Sequence, residues 1–287
     1  MAFTQNIGRI KNAGANTIVL VPYWFQDHTR SSAVFPDTAR TIPDSEFIAA
    51  CSGVIESGLN LVVKPHIDVT SGTPRAEIEP VDRNAWKGSY LEFVLHYATI
   101  AENAGAAVFS VGTEFMALSK DTELWEEIID SCQTRFHGEL TYSACPQEAL
   151  SVGFWDRLDY IGVNAWFPVS KREQPALEDM LFAWSTWKTM LRDISLRFGR
   201  AVLITEIGYM NSSRTAKNPG DFAAAGARDD QLQADCYRAA LIAAGEMDFL
   251  HGMVWWQWEL NTPDVAGGVD YTPEGKPAEM ILQEYWR

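Results

Sequence analysis

The stretch AAVFSVGTEF (106–115) decides the fold. Within it, Ala107–Thr113 is almost continuously apolar rather than alternating, as expected of a strand covered on both faces in a parallel sheet. It closes on a carboxylate, Glu114. On its N-terminal side, residues 86–104 place Leu91, Val94, Leu95, Ala98 and Ala101 on one face at spacings of three and four, which predicts a helix. Gly105 follows as its terminator. On the other side, residues 122–137 read as a second helix, and the run Glu139–Cys145 as the next strand.

The same alternation extends in both directions. Strand-like runs recur at Thr17–Pro22, Asn60–Ile67, Asp159–Ala165, Ala201–Glu206 and His251–Trp258, with further helical stretches at 174–198 and 229–248. Gly14, Gly58, Gly105, Gly138 and Gly199 each stand just before a strand, as αβ-loop glycines would. Strands alternating with helices predict an α/β fold of the (β/α)8 TIM-barrel type. Seven strands are readable and a closed barrel has eight. Residues 3–14 read as a helix leading into the first visible strand, so the missing strand would precede residue 1. The expectation is a chain truncated relative to its gene, with a barrel incomplete at that seam as the alternative. No Pro/Ser/Gly-rich linker interrupts the 287 residues, and one barrel takes roughly 250, so residues 1–287 read as a single domain.

Composition narrows the function. The formal net charge is −15 and no basic stripe exists to neutralise phosphates, which argues against nucleic acid as a partner. An acidic surface suits a neutral substrate such as a polysaccharide. No stretch is long and apolar enough to span a membrane. The N-terminus lacks a basic region followed by an apolar run, but a truncated start would remove such a signal, so secreted and cytoplasmic locations both stay open. Cys51, Cys132, Cys145 and Cys236 form no CxxC pair and read as buried thiols.

In barrels of this kind the active site is built where strands end. Two runs end in carboxylates, Glu114 and Glu206. Glycoside cleavage needs two carboxyl groups, one to protonate the leaving oxygen and one to attack the anomeric carbon or activate water. Each Glu alone could be a structural acid. The pair, with tryptophans at neighbouring strand ends, favours chemistry. Trp24, Trp86, Trp166, Trp255, Trp256 and Trp258 lie in or just beyond strand ends, and sugar rings stack on such side chains. Along the last strand, alternation points Trp256 and Trp258 one way, toward substrate, and Trp255 the other. Lys64, His66 and Asp68 read as hydrogen-bond partners for sugar hydroxyls. Two potential ligands on one strand end fall short of the three that a hydrolytic metal normally requires, so no metal and no cofactor are expected. The absence of a GxSxG elbow and of a P-loop leaves acyl and phosphoryl transfer without a motif.

VGTEF (111–115) and LITEIGY (203–209) resemble the acid/base and nucleophile segments of glycoside hydrolase family 113. KPHID (64–68), WKGSY (86–90), FWDRLDYIGVNAWFP (154–168) and GKPA (275–278) resemble further stretches of that family, and the likeness runs from about residue 14 to the C-terminus. Family 113 belongs to clan A of retaining hydrolases and is best known for endo-β-1,4-mannanase activity. The resemblance implies Glu114 as acid/base and Glu206 as nucleophile. It also places His66, Trp86, Tyr90, Asn164 and Trp256 in cleft-lining segments, and Tyr209, which closes the nucleophile segment, is expected to contact substrate as well. Two departures stand out. Clan A enzymes commonly carry Asn directly before the acid/base, where this chain has Thr113, as family 113 itself does. Ala165-Trp166-Phe167 stands where a Tyr is often seen. A Tyr hydroxyl there would hydrogen-bond the nucleophile, and the expectation is that neither Trp166 nor Phe167 replaces it.

The function implied is retaining hydrolysis of β-1,4-mannan or a related β-glycan, with carboxyl groups about 5–5.5 Å apart. The alternatives are another β-glycosidase or cell-wall hydrolase on the same scaffold, or a non-catalytic carbohydrate-binding barrel. Oligomeric state is not legible.

Overall fold

In the computed structural model, which describes residues 2–223, 226–258 and 268–286, helix α1 (Ala2–Asn12) leads into β1 (Thr17–Leu20). Two prolines then reshape the first two strand-like runs. β1 and β2 (Tyr23–Gln26) flank Pro22, and β3 (Asn60–Val63) and β4 (His66–Val69) flank Pro65. Proline has no N–H to give a ladder, so the run Asn60–Ile67 breaks at Pro65, and β2 resumes beyond Pro22, where the first run ends. The register survives the break: Leu20 pairs with Val63 and Tyr23 with His66, both parallel. The N–H groups of Lys64 and His66 donate to the carbonyls of Leu20 and Pro22 at 3.0 and 2.9 Å, carrying the pairing across.

Two compact units make up the chain, Asn16–Val163 and Met1–Ala15 with Asn164–Arg287. In the first, helix α2 (Asp44–Glu56) lies between β2 and β3, and α3 (Arg83–Ala104) between β4 and β5 (Val108–Thr113). Helix α4 (Thr122–Gln133), β6 (Glu139–Ala144), the short α5 (Pro146–Ala149) and β7 (Tyr160–Asn164) follow. The parallel ladder runs in the order β1-β3-β5-β6-β7. Asp82 and Asp121 cap α3 and α4, accepting from the N–H groups of Ala85 and Leu124, and Gly105 ends α3 at φ 74°. Its missing Cβ makes that left-handed turn inexpensive. Gly138 differs from the other four loop glycines in having no positive φ. Its constraint is space, since a Cβ there would meet the Phe136 ring and come within 2.9 Å of the Ala107 carbonyl.

The second unit contains α1, α6 (Leu177–Phe198), β8 (Ala201–Ile207), α7 (Asp230–Gly245), β9 (Leu250–Trp255) and α8 (Pro277–Trp286). β8 and β9 pair in parallel. Helices α2 and α8 lie outside the helical stretches read from periodicity. Among the described residues no helix is long and apolar enough to cross a membrane.

The core of the first unit is built from aromatic rings behind β5. Trp86 stacks on Tyr90 at 4.7 Å, and both meet Phe115 edge-on. Trp125, Tyr142 and Phe154 continue the cluster. Such pairs contribute about 0.5–1.5 kcal/mol each beyond the area they bury. Gly112 is part of the same packing, because a Cβ there would lie 2.6 Å from the Trp125 ring and 2.8 Å from Tyr142. The buried face of α3 therefore includes Trp86, Tyr90, Phe93 and Tyr97 as well as Val94, Ala98 and Ala101, with Leu91 and Leu95 at its half-buried margin. Three of the four cysteines are buried, but Cys145 is half-buried, a correction to the reading of all four as buried thiols.

Candidate active site

Both strand-end carboxylates sit where the sheet register slips. Between Ser110 and Thr113, β5 carries one more residue than the facing stretch of β6. Between Ile204 and Ile207, β8 does the same against β9. An extra residue re-aims the side chains that follow it. Glu114 comes directly after the first slip and Glu206 lies within the second.

In the unit Asn16–Val163, Glu114 has φ 58°, the only non-glycine with positive φ among the described residues. Such a conformation costs roughly 1–3 kcal/mol and persists only where neighbouring contacts impose it. Its own N–H donates to the Ser143 carbonyl at 2.9 Å, and the next N–H, of Phe115, donates to the Tyr142 hydroxyl at 2.8 Å. Arg75, in a single helical turn over Arg75–Glu77, brings a cation to the carboxylate, with Nη1 3.5 Å from Glu114 Oε2. The same guanidinium donates to Asp68 Oδ1 at 2.5 Å and to the Ile67 carbonyl at 2.9 Å. Arg75 thus bridges Asp68 and Glu114.

His66 and Lys64 are buried. Burial, together with the positive charges of Arg75 and Lys64, holds the His66 imidazole well below its usual range, so it is neutral near pH 7. The ring of Tyr23 meets it edge-on at 5.3 Å.

Three aromatic residues expected to contact substrate lie elsewhere. Trp24 packs on Phe93, His96 and Tyr97 of α3. Alternation along β2 puts Tyr23, not Trp24, on the face of His66. Trp86 and Tyr90 are sealed in the core, donating to Gln26 Oε1 and the Val111 carbonyl at 2.9 and 2.7 Å. Neither presents a ring face to a ligand, and both support Phe115 from behind.

In the unit that begins again at Asn164, Glu206 is 6% exposed. Its backbone carbonyl accepts from Ala165 N–H at 2.6 Å, and its Oε2 accepts from the Trp166 indole N–H at 3.0 Å. This corrects the expectation that Trp166 cannot replace a tyrosine hydroxyl. The indole N–H supplies the donor, because the backbone after β7 turns the ring edge toward the carboxylate. Asn164 is buried, its Oδ1 accepting from the Thr205 hydroxyl at 2.8 Å. Trp166 is half-buried against Tyr271, with ring centroids 5.6 Å apart, and a Cβ on Gly220 would come 3.3 Å from it. Phe222 lies 6.1 Å from the same ring and is 61% exposed.

Tyr209 departs from the substrate-contact reading. It is fully buried beside Tyr237, and burial raises its hydroxyl well above the usual range. Trp255 stacks on Tyr237 of α7 at 3.9 Å, so alternation turns Trp256 to the opposite face. Trp256 and Trp258 are half-buried. Sequence reasoning missed Arg75, Tyr23 and Phe222. Arg75 falls between the strand-like run Asn60–Ile67 and the helix read over 86–104, and that position after a strand was its one available signal.

Among the described residues no group of three or more His, Cys, Asp or Glu is placed to hold a metal ion.

Parallel strands alternating with helices, with carboxylates set at strand ends, define the class of barrel glycosidases. The chain belongs to Glycoside Hydrolase Family 113, whose description its sequence matches over residues 2–276. A GH113 β-1,4-mannanase solved as a complex is 23% identical and superposes with a TM-score of 0.91, covering 99% of this chain and 92% of that one. The GH113 β-mannanase AaManA from Alicyclobacillus acidocaldarius, solved with ManMIm, gives the same identity and TM-score over 99% and 91%. More distantly, a fungal β-1,4-galactanase matches at 12% identity and a TM-score of 0.64, over 97% and 90%. No curated protein sequence matches. The fold is the TIM-type barrel of these structures, with seven parallel strands in its main sheet among the described residues, and the chain is a glycoside hydrolase.

Proposed function

We propose that the chain hydrolyses β-1,4-linked mannan or a related β-glycan with retention of configuration, Glu206 acting as nucleophile and Glu114 as acid/base. Glu206 attacks the anomeric carbon while the glycosidic C–O bond breaks and Glu114 gives its proton to the leaving oxygen. Glu114, now a carboxylate, then takes a proton from water. The water oxygen attacks the same carbon, and the ester bond to Glu206 breaks. No cofactor enters either step. The observation that carries the reading is the Trp166 indole N–H on Glu206 Oε2 at 3.0 Å, which orients a nearly buried carboxylate at a strand end. The substrate class follows from the GH113 mannanases that the chain resembles.

His66, Lys64, Asp68, Asn164, Trp166, Trp256 and Trp258 are the proposed substrate contacts, supplying hydrogen bonds and ring faces to sugars. The test is hydrolysis of a panel of β-1,4-mannan, glucomannan, cellulose and xylan oligosaccharides. Cleavage confined to, or strongest on, mannosides is the expected result. A chain that binds one of these glycans and cleaves none would be a binding barrel.

Trp166→Phe tests the donor separately. Phe keeps a ring against Tyr271 and removes the N–H. A hydrogen bond to a charged group contributes about 1.5–3 kcal/mol, so kcat/KM should fall roughly 10- to 100-fold, mostly through kcat. An unchanged kcat would remove Trp166 from the mechanism.

A further inference from the structure

Glu148 is a carboxylate that the reaction above does not use, and it is 0% exposed. A buried carboxyl group of this kind persists only where hydrogen bonds satisfy it. Its Oε1 accepts from the Tyr142 hydroxyl at 2.5 Å and its Oε2 from the Cys145 N–H at 2.9 Å. Burial pushes its carboxyl up from the usual range, while these donors act in the opposite direction.

The chain of bonds leads to Glu114. Because the Tyr142 O–H donates to Glu148, the Tyr142 oxygen is free to accept, and it accepts the Phe115 N–H at 2.8 Å. Phe115 is buried, so its N–H requires a partner inside the protein. The N–H groups on either side of the Glu114 Cα are therefore both held from β6, by the Ser143 carbonyl and the Tyr142 hydroxyl. Those are the contacts that sustain φ 58° at Glu114.

We propose that Glu148 is a positioning residue for Glu114: by accepting the hydrogen bond from the Tyr142 O–H it leaves that oxygen as an acceptor for Phe115 N–H and so locks the left-handed turn that aims Glu114. This rests on the reading of Glu114 as acid/base. The requirement is for Glu in particular. A carboxylate accepts from Tyr142 and Cys145 at once, whereas an amide presents one acceptor and one donor. Glu148→Gln must therefore face a donor with its own N–H groups, either at Cys145 or at Tyr142, and the second case reverses the Tyr142 hydroxyl.

The test compares kcat/KM for mannotetraose, whose departing sugar needs a proton, with that for dinitrophenyl β-mannobioside, whose leaving group needs none. Glu148→Gln should lose on the order of 10- to 100-fold on mannotetraose, a part of the 10²–10⁴-fold that a well-placed general acid supplies, and markedly less on the aryl substrate. Tyr142→Phe, a milder change, should show the same asymmetry and serves if the first variant fails to fold. Equal losses on both substrates, or none on either, would overturn the proposal. Glu114→Ala is the reference. If it discriminates between the leaving groups and Glu148→Gln does not, the positioning role falls and the acid/base assignment stands. If Glu114→Ala treats both substrates alike, the assignment itself falls.

Discussion

Glu206→Ala is expected to lower kcat on mannooligosaccharides by roughly 10⁴-fold or more, the scale on which removal of a covalent nucleophile is felt in other hydrolases. Water cannot substitute for the lost carboxylate, because retention needs a covalent partner on the face opposite the leaving group. Azide is small enough to enter the volume that the truncated side chain vacates. With an activated aryl β-mannoside it should attack the anomeric carbon from that face in a single displacement. The product is then an α-glycosyl azide, and NMR of its anomeric centre identifies it. A β-azide, or residual turnover close to wild type, would take the nucleophile role away from Glu206. The supporting structure is local: a nearly buried side chain, its carbonyl tied to Ala165 and one carboxylate oxygen to Trp166.

The segments legible in the amino-acid sequence are those where one physical signal dominates. β5 and β8 are buried along their length apart from Ala201 at the start of β8, so they appear as apolar runs, and the carboxylate that ends each run is conspicuous. Pro22 and Pro65 are equally visible as residues, yet the pairing resumes beyond each of them, which depends on the register between strands. The orientation of Trp24 fails for a related reason. Period two says that Tyr23 and Trp24 face opposite ways but not which of them meets the helix layer. That phase is set by α3, whose Phe93 and Tyr97 receive Trp24.

The likeness of WKGSY (86–90) to a cleft-lining family segment said nothing of the depth of Trp86 and Tyr90. Both rings lie beneath Phe115, where they brace the turn at Glu114 from below. Trp166 shows the converse. A rule stated in residue names, tyrosine for the donor, missed that an indole N–H can occupy the same role when the ring edge is turned inward. Arg75 and Glu148 sit in a single helical turn and a four-residue helix, elements too short for periodicity to register. Their relation to Glu114 is one of space, through Arg75 Nη1 at 3.5 Å and through Tyr142.

Glu114→Ala should produce a different signature from loss of the nucleophile. A general acid contributes about 10²–10⁴-fold, and it does so only where the leaving oxygen needs a proton. On mannotetraose, kcat/KM should fall by that order, while on dinitrophenyl β-mannobioside it should fall far less. The second step still needs a base to activate water, so the glycosyl-enzyme should accumulate on the aryl substrate, giving a burst of phenolate followed by slow turnover. Azide needs no base. It should restore turnover by attacking the glycosyl-enzyme from the face of the departed leaving group, which yields a β-glycosyl azide. The opposite anomers expected from Glu114→Ala and Glu206→Ala assign the two carboxylates to opposite faces of the sugar. A loss on the aryl substrate equal to that on mannotetraose, or an α-azide, would exclude Glu114 as the acid/base. The strained backbone at φ 58° would then need another reason to exist. With Glu114 as the proton donor, the cost of that conformation is offset by a carboxyl group held where the leaving oxygen departs.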